Sequence, residues 1–153
     1  MDDIKLLADF LFVAKSKTYA GRGPKAPSSR PNSEDYHYEE GSWIYHDCYW
    51  GGAAFIGHEI VWRNGNPVWG LNYYGGPVGN KVDTNAAYDF LKTALRSLDH
   101  TIPPLRGPRA FQENAYQYTN KIIGDLKKFE GIEEVSKDGV VVCRHIYHGG
   151  LIL

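Results

Sequence analysis

The strongest constraint on the fold of this chain is the stretch EIVWRNGNPVWGLNYYGG, Glu59 to Gly76. Two aromatic-rich runs flank Asn64-Gly65, and Asn-Gly is the pair that most readily takes positive φ at both central positions of a type I′ turn. The stretch therefore reads as a hairpin. It sets Arg63 opposite Asn66 and commits the middle of the chain to antiparallel sheet.

The remaining elements arrange around that hairpin. Residues 2 to 16 repeat apolar side chains at Ile4, Leu7, Ala8 and Leu11, the rhythm of an amphipathic helix with acids at its start. Residues 18 to 35 are rich in Gly, Pro and Ser and form a long loop, a length usually associated with lids or binding segments. Strands follow over 36–39, over SWIYHDCYW to Trp50, and over AAFIGHEIVW after a turn at Gly51-Gly52. The run PVWGLNYY supplies the returning strand of the hairpin. A second helix spans about 84–98, with Asp83 or Thr84 as N-cap and a stripe of Ala87, Phe90, Leu91, Ala94, Leu95 and Leu98. The run TIPPLRGP stops it. AYQYTNKII reads as another strand, and Asp138-Gly139 turns Ile132–Ser136 back into Val140–Tyr147. The expected fold is α+β: a curved antiparallel sheet of about six strands built from hairpins, with two helices packed on one face. It forms a single domain over 1–153, with no internal repeat.

Composition narrows the function classes. The formal net charge is −1, from 17 basic and 18 acidic residues, so no basic stripe marks a duplex nucleic-acid partner. The two cysteines, Cys48 and Cys143, have no metal-type spacing and read as reduced, buried thiols. No apolar run reaches membrane-spanning length, and no signal peptide opens the chain, so the expected address is the cytoplasm. Nothing in the sequence implies a cofactor or a metal. His145 and His148 lie three apart on a strand and so face opposite ways. The familiar phosphate-loop, dinucleotide and serine-elbow motifs are missing. Ser28-Ser29 with a distant histidine is a weak nucleophile arrangement.

Extending the hairpin pairing outward places Ile60 opposite Trp69, Glu59 opposite Gly70 and Gly57 opposite Asn72. A two-residue turn at Gly51-Gly52 sets Tyr45 against His58 and His46 against Gly57. Alternation then gives the helix-facing side Trp43, Tyr45, Asp47, Ile56, His58, Ile60, Trp69, Leu71 and Tyr73, with Asp47 and His58 satisfying each other. The other side receives Ile44, His46, Cys48, Trp50, Phe55, Gly57, Glu59, Gly70, Asn72 and Tyr74. His46, Glu59 and Asn72 would surround two strand glycines, with aromatics at the rim, as a shallow ligand site does.

The phrases TYAGRG, SSRPNSEDYHYEEG, YWGGAAFIGHEIVWRNGNPVWGLNYYGG, LRGP and YHGGLI together resemble an uncharacterised bacterial family, a domain of unknown function. Its members occur alone or behind an Xre-type DNA-binding helix-turn-helix. The resemblance brings no established activity. It implies a ligand-sensing role and marks Tyr19, Ser29, Glu59, Trp69, Asn72, Tyr73 and His148 as pattern positions.

The expected function is non-enzymatic sensing or sequestering of a small polar metabolite with a flat ring, a nucleotide or ADP-ribose-like molecule. The aromatics Tyr19, Trp50, Trp69 and Tyr74 can stack on it. His46, Glu59, Asn72, Ser29 and His148 can read its polar edges, and Arg22 and Arg30 can meet phosphate. One alternative is a hydrolase or nucleotide-cleaving enzyme with Glu59 as base and His46 as acid or orienting group. The other is a protein-interaction module that uses the aromatic sheet face. Self-association is compatible with all three.

Overall fold

The computed structural model describes residues 3–98, 103 and 105–153. The chain runs α1 (Asp3–Lys17), β1 (Glu34–Glu40), β2 (Trp43–Gly51), β3 (Phe55–Arg63) and β4 (Asn66–Pro77). It continues through α2 (Thr84–Arg96), β5 (Ala110–Glu113), β6 (Tyr116–Asp125), β7 (Lys128–Lys137) and β8 (Val140–Leu151). The fold is α+β with an open antiparallel sheet, but the sheet has eight strands rather than about six, in the order β1-β2-β3-β4-β8-β7-β6-β5. The strand missed outright is β5, four residues with no buried member and hence no apolar alternation to read. The expected helix start at residue 2 lies outside the described residues, as do positions 101, 102 and 104 of the expected TIPPLRGP stop. Within the described part, Asp83 caps α2 by accepting from the Ala86 amide at 3.0 Å.

The strand order is a palindrome, and the correspondence between its halves extends to single residues. Each half is a helix followed by a four-strand meander, and β4 and β8 join the halves as antiparallel neighbours with Tyr73 opposite Tyr147. Asn64-Gly65 and Asp138-Gly139 turn equivalent hairpins, all four residues at positive φ. A bulge interrupts the β3–β4 register beside Val61 and the β7–β8 register beside Val135. Tyr45 corresponds to Tyr118, Asp47 to Asn120, Gly57 to Gly131 and Glu59 to Glu133. The sequence reading found no repeat, yet the backbone contains one.

The bulge also corrects the expected faces. Arg63 pairs with Asn66 and Trp62 with Pro67, but Val61 then pairs with Trp69, leaving Val68 as the extra residue. Pro67 has no N–H to continue the ladder, which is where a bulge is tolerated. At the other end of β3 the turn is three residues, Gly52 to Ala54, because Gly51 pairs with Phe55. Both departures shift the register by an odd number, so β3 alone turns over relative to the expectation. Glu59 lies opposite Asp47 and Leu71, on the side of Tyr45, Trp69 and Tyr73. His58, Ile56 and Ile60 share the opposite side with His46 and Asn72.

Both helices pack on the Glu59 side. α1 buries Leu7, Phe10, Leu11 and Ala14 against Tyr45, Val61, Trp69, Leu71 and Tyr147. α2 buries Ala87, Phe90, Leu91, Ala94 and Leu95 against Tyr118, Val135 and Cys143. No helix among the described residues is long and apolar enough to cross a membrane.

The strand glycines serve side chains of the protein itself. Tyr73 lies across Gly57, where a Cβ would stand 2.5 Å from the Tyr73 hydroxyl, and that hydroxyl donates to Asp47 Oδ1 at 2.6 Å. In the second half Tyr147 lies across Gly131, where a Cβ would stand 2.7 Å from Tyr147 Cε1, and its hydroxyl donates to Asn120 Oδ1 at 2.6 Å. Gly57→Ala and Gly131→Ala should each destabilise the protein by about 1–3 kcal/mol, the usual cost of overpacking. Urea denaturation measures this, and a wild-type midpoint for either variant would refute the packing role.

Candidate functional site

The helices leave a cleft between them on the face they cover. Its first lobe, about 240 Å³, has Lys15 and Ser16 of α1 on one wall, Leu95 and Arg96 of α2 on the other, and Tyr45 and Glu59 on its floor. Its second lobe, about 340 Å³, is walled by Tyr49, Phe55, Tyr73 and Tyr88, with Asp89 and Lys92 of α2 also lining it. Tyr19, Asp47 and Arg106 line both lobes. Together the lobes fall within the size range of small-molecule sites.

The floor concentrates buried charge. Asp47 is 5% and Glu59 3% exposed, and the two are direct cross-strand partners. Burial, and then the neighbouring Glu59, push the Asp47 carboxyl up to about 7 even though Tyr73 donates to it. Lys15 Nζ lies 2.6 Å from Glu59 Oε2, but its aligned hydrogen bond goes to the Leu105 carbonyl at 2.5 Å. Glu59 Oε2 is buried with Lys15 as its ion-pair partner, and no better-aligned donor reaches it among the described residues. Burial pulls the Lys15 ammonium below its ordinary range against the pull of Glu59. Burial also pushes the Tyr19 hydroxyl up to about 12, so it remains a neutral donor.

The equivalent place in the second half is filled. Glu133 accepts from Arg106 Nη2 at 2.7 Å, from Arg106 Nε at 3.2 Å and from the Tyr118 hydroxyl at 2.6 Å, with His145 Nδ1 at 2.9 Å. Burial alone would raise the Glu133 carboxyl, but the Arg106 charge and the His145 bond hold it well below the usual carboxylate range. Asn120 replaces the acid and donates to the Gly107 carbonyl at 3.1 Å. His145 Nε2 is a second buried atom without a partner, and its ring packs 5.0 Å from that of Phe55 on the second lobe's wall.

The residues singled out from sequence divide between the two faces. Tyr19 and Glu59 line the cleft, and Arg22 meets Asp89 at its edge, 3.6 Å away. Trp69 is fully buried core, its indole N–H donating to the Leu126 carbonyl at 3.0 Å. The others lie on the far side because the long segment passes around edge strand β1, bridging at Ala26–Asp35. There the Ser29 hydroxyl donates to Asp35 at 2.6 Å, and the same carboxylate lies 2.5 Å from His46 Nε2. Asp35 thus separates Ser29 from His46, and among the described residues neither Ser28 nor Ser29 bonds to a histidine. The Trp50 indole donates to the Pro31 carbonyl at 2.9 Å, and the exposed Arg30 caps the same turn through its amide bond to Ser33. Trp50, Asn72, Tyr74 and His148 line a shallow depression with Ile56 and His58. His46 and Glu59 therefore do not meet, and Asp47 is satisfied by Tyr73 rather than His58.

Sequence reasoning missed Lys15, Tyr45, Asp47, Arg106, Glu133 and His145. Tyr45 and Asp47 were assigned to the correct face, and only the correct β3 register shows that Glu59 joins them. Lys15 and Arg106 arrive from outside the sheet, where strand-pairing rules have no reach.

A family model, a domain of unknown function (DUF5680), matches residues 47–152. No curated protein and no solved structure matches the chain.

Asp47 makes stability depend on pH with a definite sign. Its folded carboxyl keeps a proton up to about 7, against 3.8 ordinarily. Folding therefore takes up a proton between those values, and stability falls as pH rises through the window. Asp47→Asn, which copies Asn120, should remove that dependence. Relative to the variant, the wild type should lose a few kcal/mol between about pH 4 and 7, read by urea denaturation across pH. A difference constant with pH would contradict the assignment.

Proposed function

We propose that this chain, which belongs to the DUF5680 family, is a non-enzymatic receptor for a small polar metabolite with a flat ring, of the nucleotide or ADP-ribose class. The ligand lies in the cleft between α1 and α2, and the protein senses or sequesters it. The observation that carries this reading is the meeting of two lobes at Tyr19, Asp47 and Arg106, with hydroxyl, carboxyl and guanidinium groups at one point under aromatic walls. Tyr49, Phe55, Tyr73 and Tyr88 offer ring faces for stacking, and Asp47 and Glu59 offer acceptors. Arg22, Lys92 and Arg96, around the lobes, suit an anionic tail. The outer-face group of His46, Trp50, Asn72, Tyr74 and His148 is set aside, because His46 is committed to Asp35 and the rest line a more open depression, about 490 Å³, with no carboxylate, lysine or arginine in its lining.

A hydrolytic reading requires different residues from those the sequence suggested. Asp47, near neutrality in its titration, stands beside Glu59 where His46 does not, and a carboxyl with a raised titration beside a second acid is common equipment of acid–base catalysis.

Thermal shift and native mass spectrometry with a panel of nucleosides, nucleotides and ADP-ribose test the proposal. A binding member should raise the melting temperature, and Tyr19→Ala or Tyr88→Ala should weaken it about tenfold or more. Recovery of the ligand unchanged after long incubation supports binding alone, whereas product that disappears with Asp47→Asn supports hydrolysis. No shift across the panel at millimolar ligand rejects the nucleotide class.

A further inference from the structure

We infer that Asp47 and Glu59 form the subsite for a paired N–H donor edge, the kind presented by a guanidinium group or by the amino-substituted amide edge of a guanine-type ring. This rests on the cleft reading above and specifies which chemical edge the cleft floor recognises.

The twofold repeat supplies an internal reference. Glu133 shows what a buried glutamate at this sheet position takes up when the protein satisfies it: a guanidinium fork from Arg106, the Tyr118 hydroxyl and His145. At the matching position of the first half those donors are missing. Tyr45, the counterpart of Tyr118, makes no side-chain hydrogen bond among the described residues and lines the first lobe. Leu71 stands where His145 stands in the second half. Among the described residues Glu59 is met by Lys15 alone, through an ion pair at 2.6 Å to Oε2, where Glu133 has three partners.

Counting atoms gives the polarity of the missing partner. Asp47 and Glu59 carry four oxygens between them, of which Tyr73 and Lys15 address two. Arg106 directs its Nε and Nη2 to Glu133, and among the described residues it makes no hydrogen bond to Asp47 or Glu59. The floor therefore has carboxyl oxygens without a protein donor among the described residues, and the proton that Asp47 retains passes to solvent when a ligand's N–H groups take its place. An adenine edge, with one donor and one acceptor, leaves that shortage of donors in place. A guanine-type edge or a guanidinium brings parallel donors, the geometry that carboxylates bind bidentately. Asn120, at Asp47's place in the closed half, shows that this strand position accommodates an amide; the retained acid distinguishes the half with the cleft.

Isothermal titration of the full chain with guanosine, inosine, adenosine and methylguanidinium tests this. Guanosine should bind about tenfold or more tightly than inosine, which lacks the amino group, and than adenosine. Asp47→Asn and Glu59→Gln should reduce that preference to within about threefold, read as the ratio of guanosine to adenosine affinity in each variant. Circular dichroism and melting should confirm that both variants fold. If methylguanidinium binds in a Glu59-dependent way and guanosine does not, the donor edge stands and its source is a guanidinium compound. Adenosine or inosine matching guanosine on the wild type overturns the donor-edge inference but leaves the cleft as a ring site. Binding by none of the four, with none by the nucleotide panel, overturns the cleft reading as well.

Discussion

The structure depends on a tyrosine that crosses a glycine to reach a polar group two strands away, and it uses that device twice. Tyr73 and Tyr147 face each other on the central strand pair. Each leans outward over a residue with no side chain, to Asp47 on one side and Asn120 on the other. The hydrogen bonds tie β4 to β2 and β8 to β6, so each meander is braced across its middle strand. Because the two tyrosines are cross-strand neighbours, the braces meet at the junction of the halves. A hydroxyl buried this way is costly unless paired, and its partner must be polar. The device therefore forces a polar atom into the core at two equivalent points.

The two halves resolve that requirement differently. In the second, an amide takes the tyrosine's bond without bringing charge, and the one carboxylate nearby is surrounded by donors. The first half keeps an acid at the same point, beside a second acid, with a single lysine between them and the helices parted above. Burying two carboxyls with one partner is unfavourable for folding, and the raised titration of Asp47 is the molecular sign of it. Buried groups in unresolved electrostatic tension mark functional sites more often than structural ones. Here the contrast lies within one chain, since the same sheet geometry carries a resolved version.

Much of this was legible from the sequence, and the remainder failed for specific reasons. The α2 stripe and its Asp83 cap, both two-residue turns and the faces of β2 and β4 follow from periodicity and turn chemistry. The face of β3 did not, because a bulge at Pro67-Val68 and a three-residue turn at Gly52–Ala54 each displaced it by an odd step. That one inversion carried Glu59 away from Asp47 and into a false association with His46. Of the two strand glycines expected to make room for a ligand, Gly57 makes room for Tyr73 and Gly70 is approached by Ile60. The repeat was hidden because only Gly57 and Gly131, Glu59 and Glu133, and a few core positions keep their identity, while exposed positions have diverged freely.

The loops complete the asymmetry. After α1 the chain passes around β1 and delivers Ser29 and Arg30 to the far side, where Asp35 holds Ser29, Ser33 holds Arg30 and the segment shields the sheet edge. After α2, Leu105 and Arg106 lie on the helix face, with Arg106 between the halves. There it is fixed on Glu133 while forming a wall of both lobes. A guanidinium held by a buried carboxylate keeps its position and charge when a ligand arrives, and Arg106 still has its Nη1 hydrogens to offer. Arg106 is thus part of the electrostatic frame of the cleft as well as a donor that a ligand can use. The second half acts as a rigid support that leaves the acceptors of Asp47 and Glu59 as the variable part of the site.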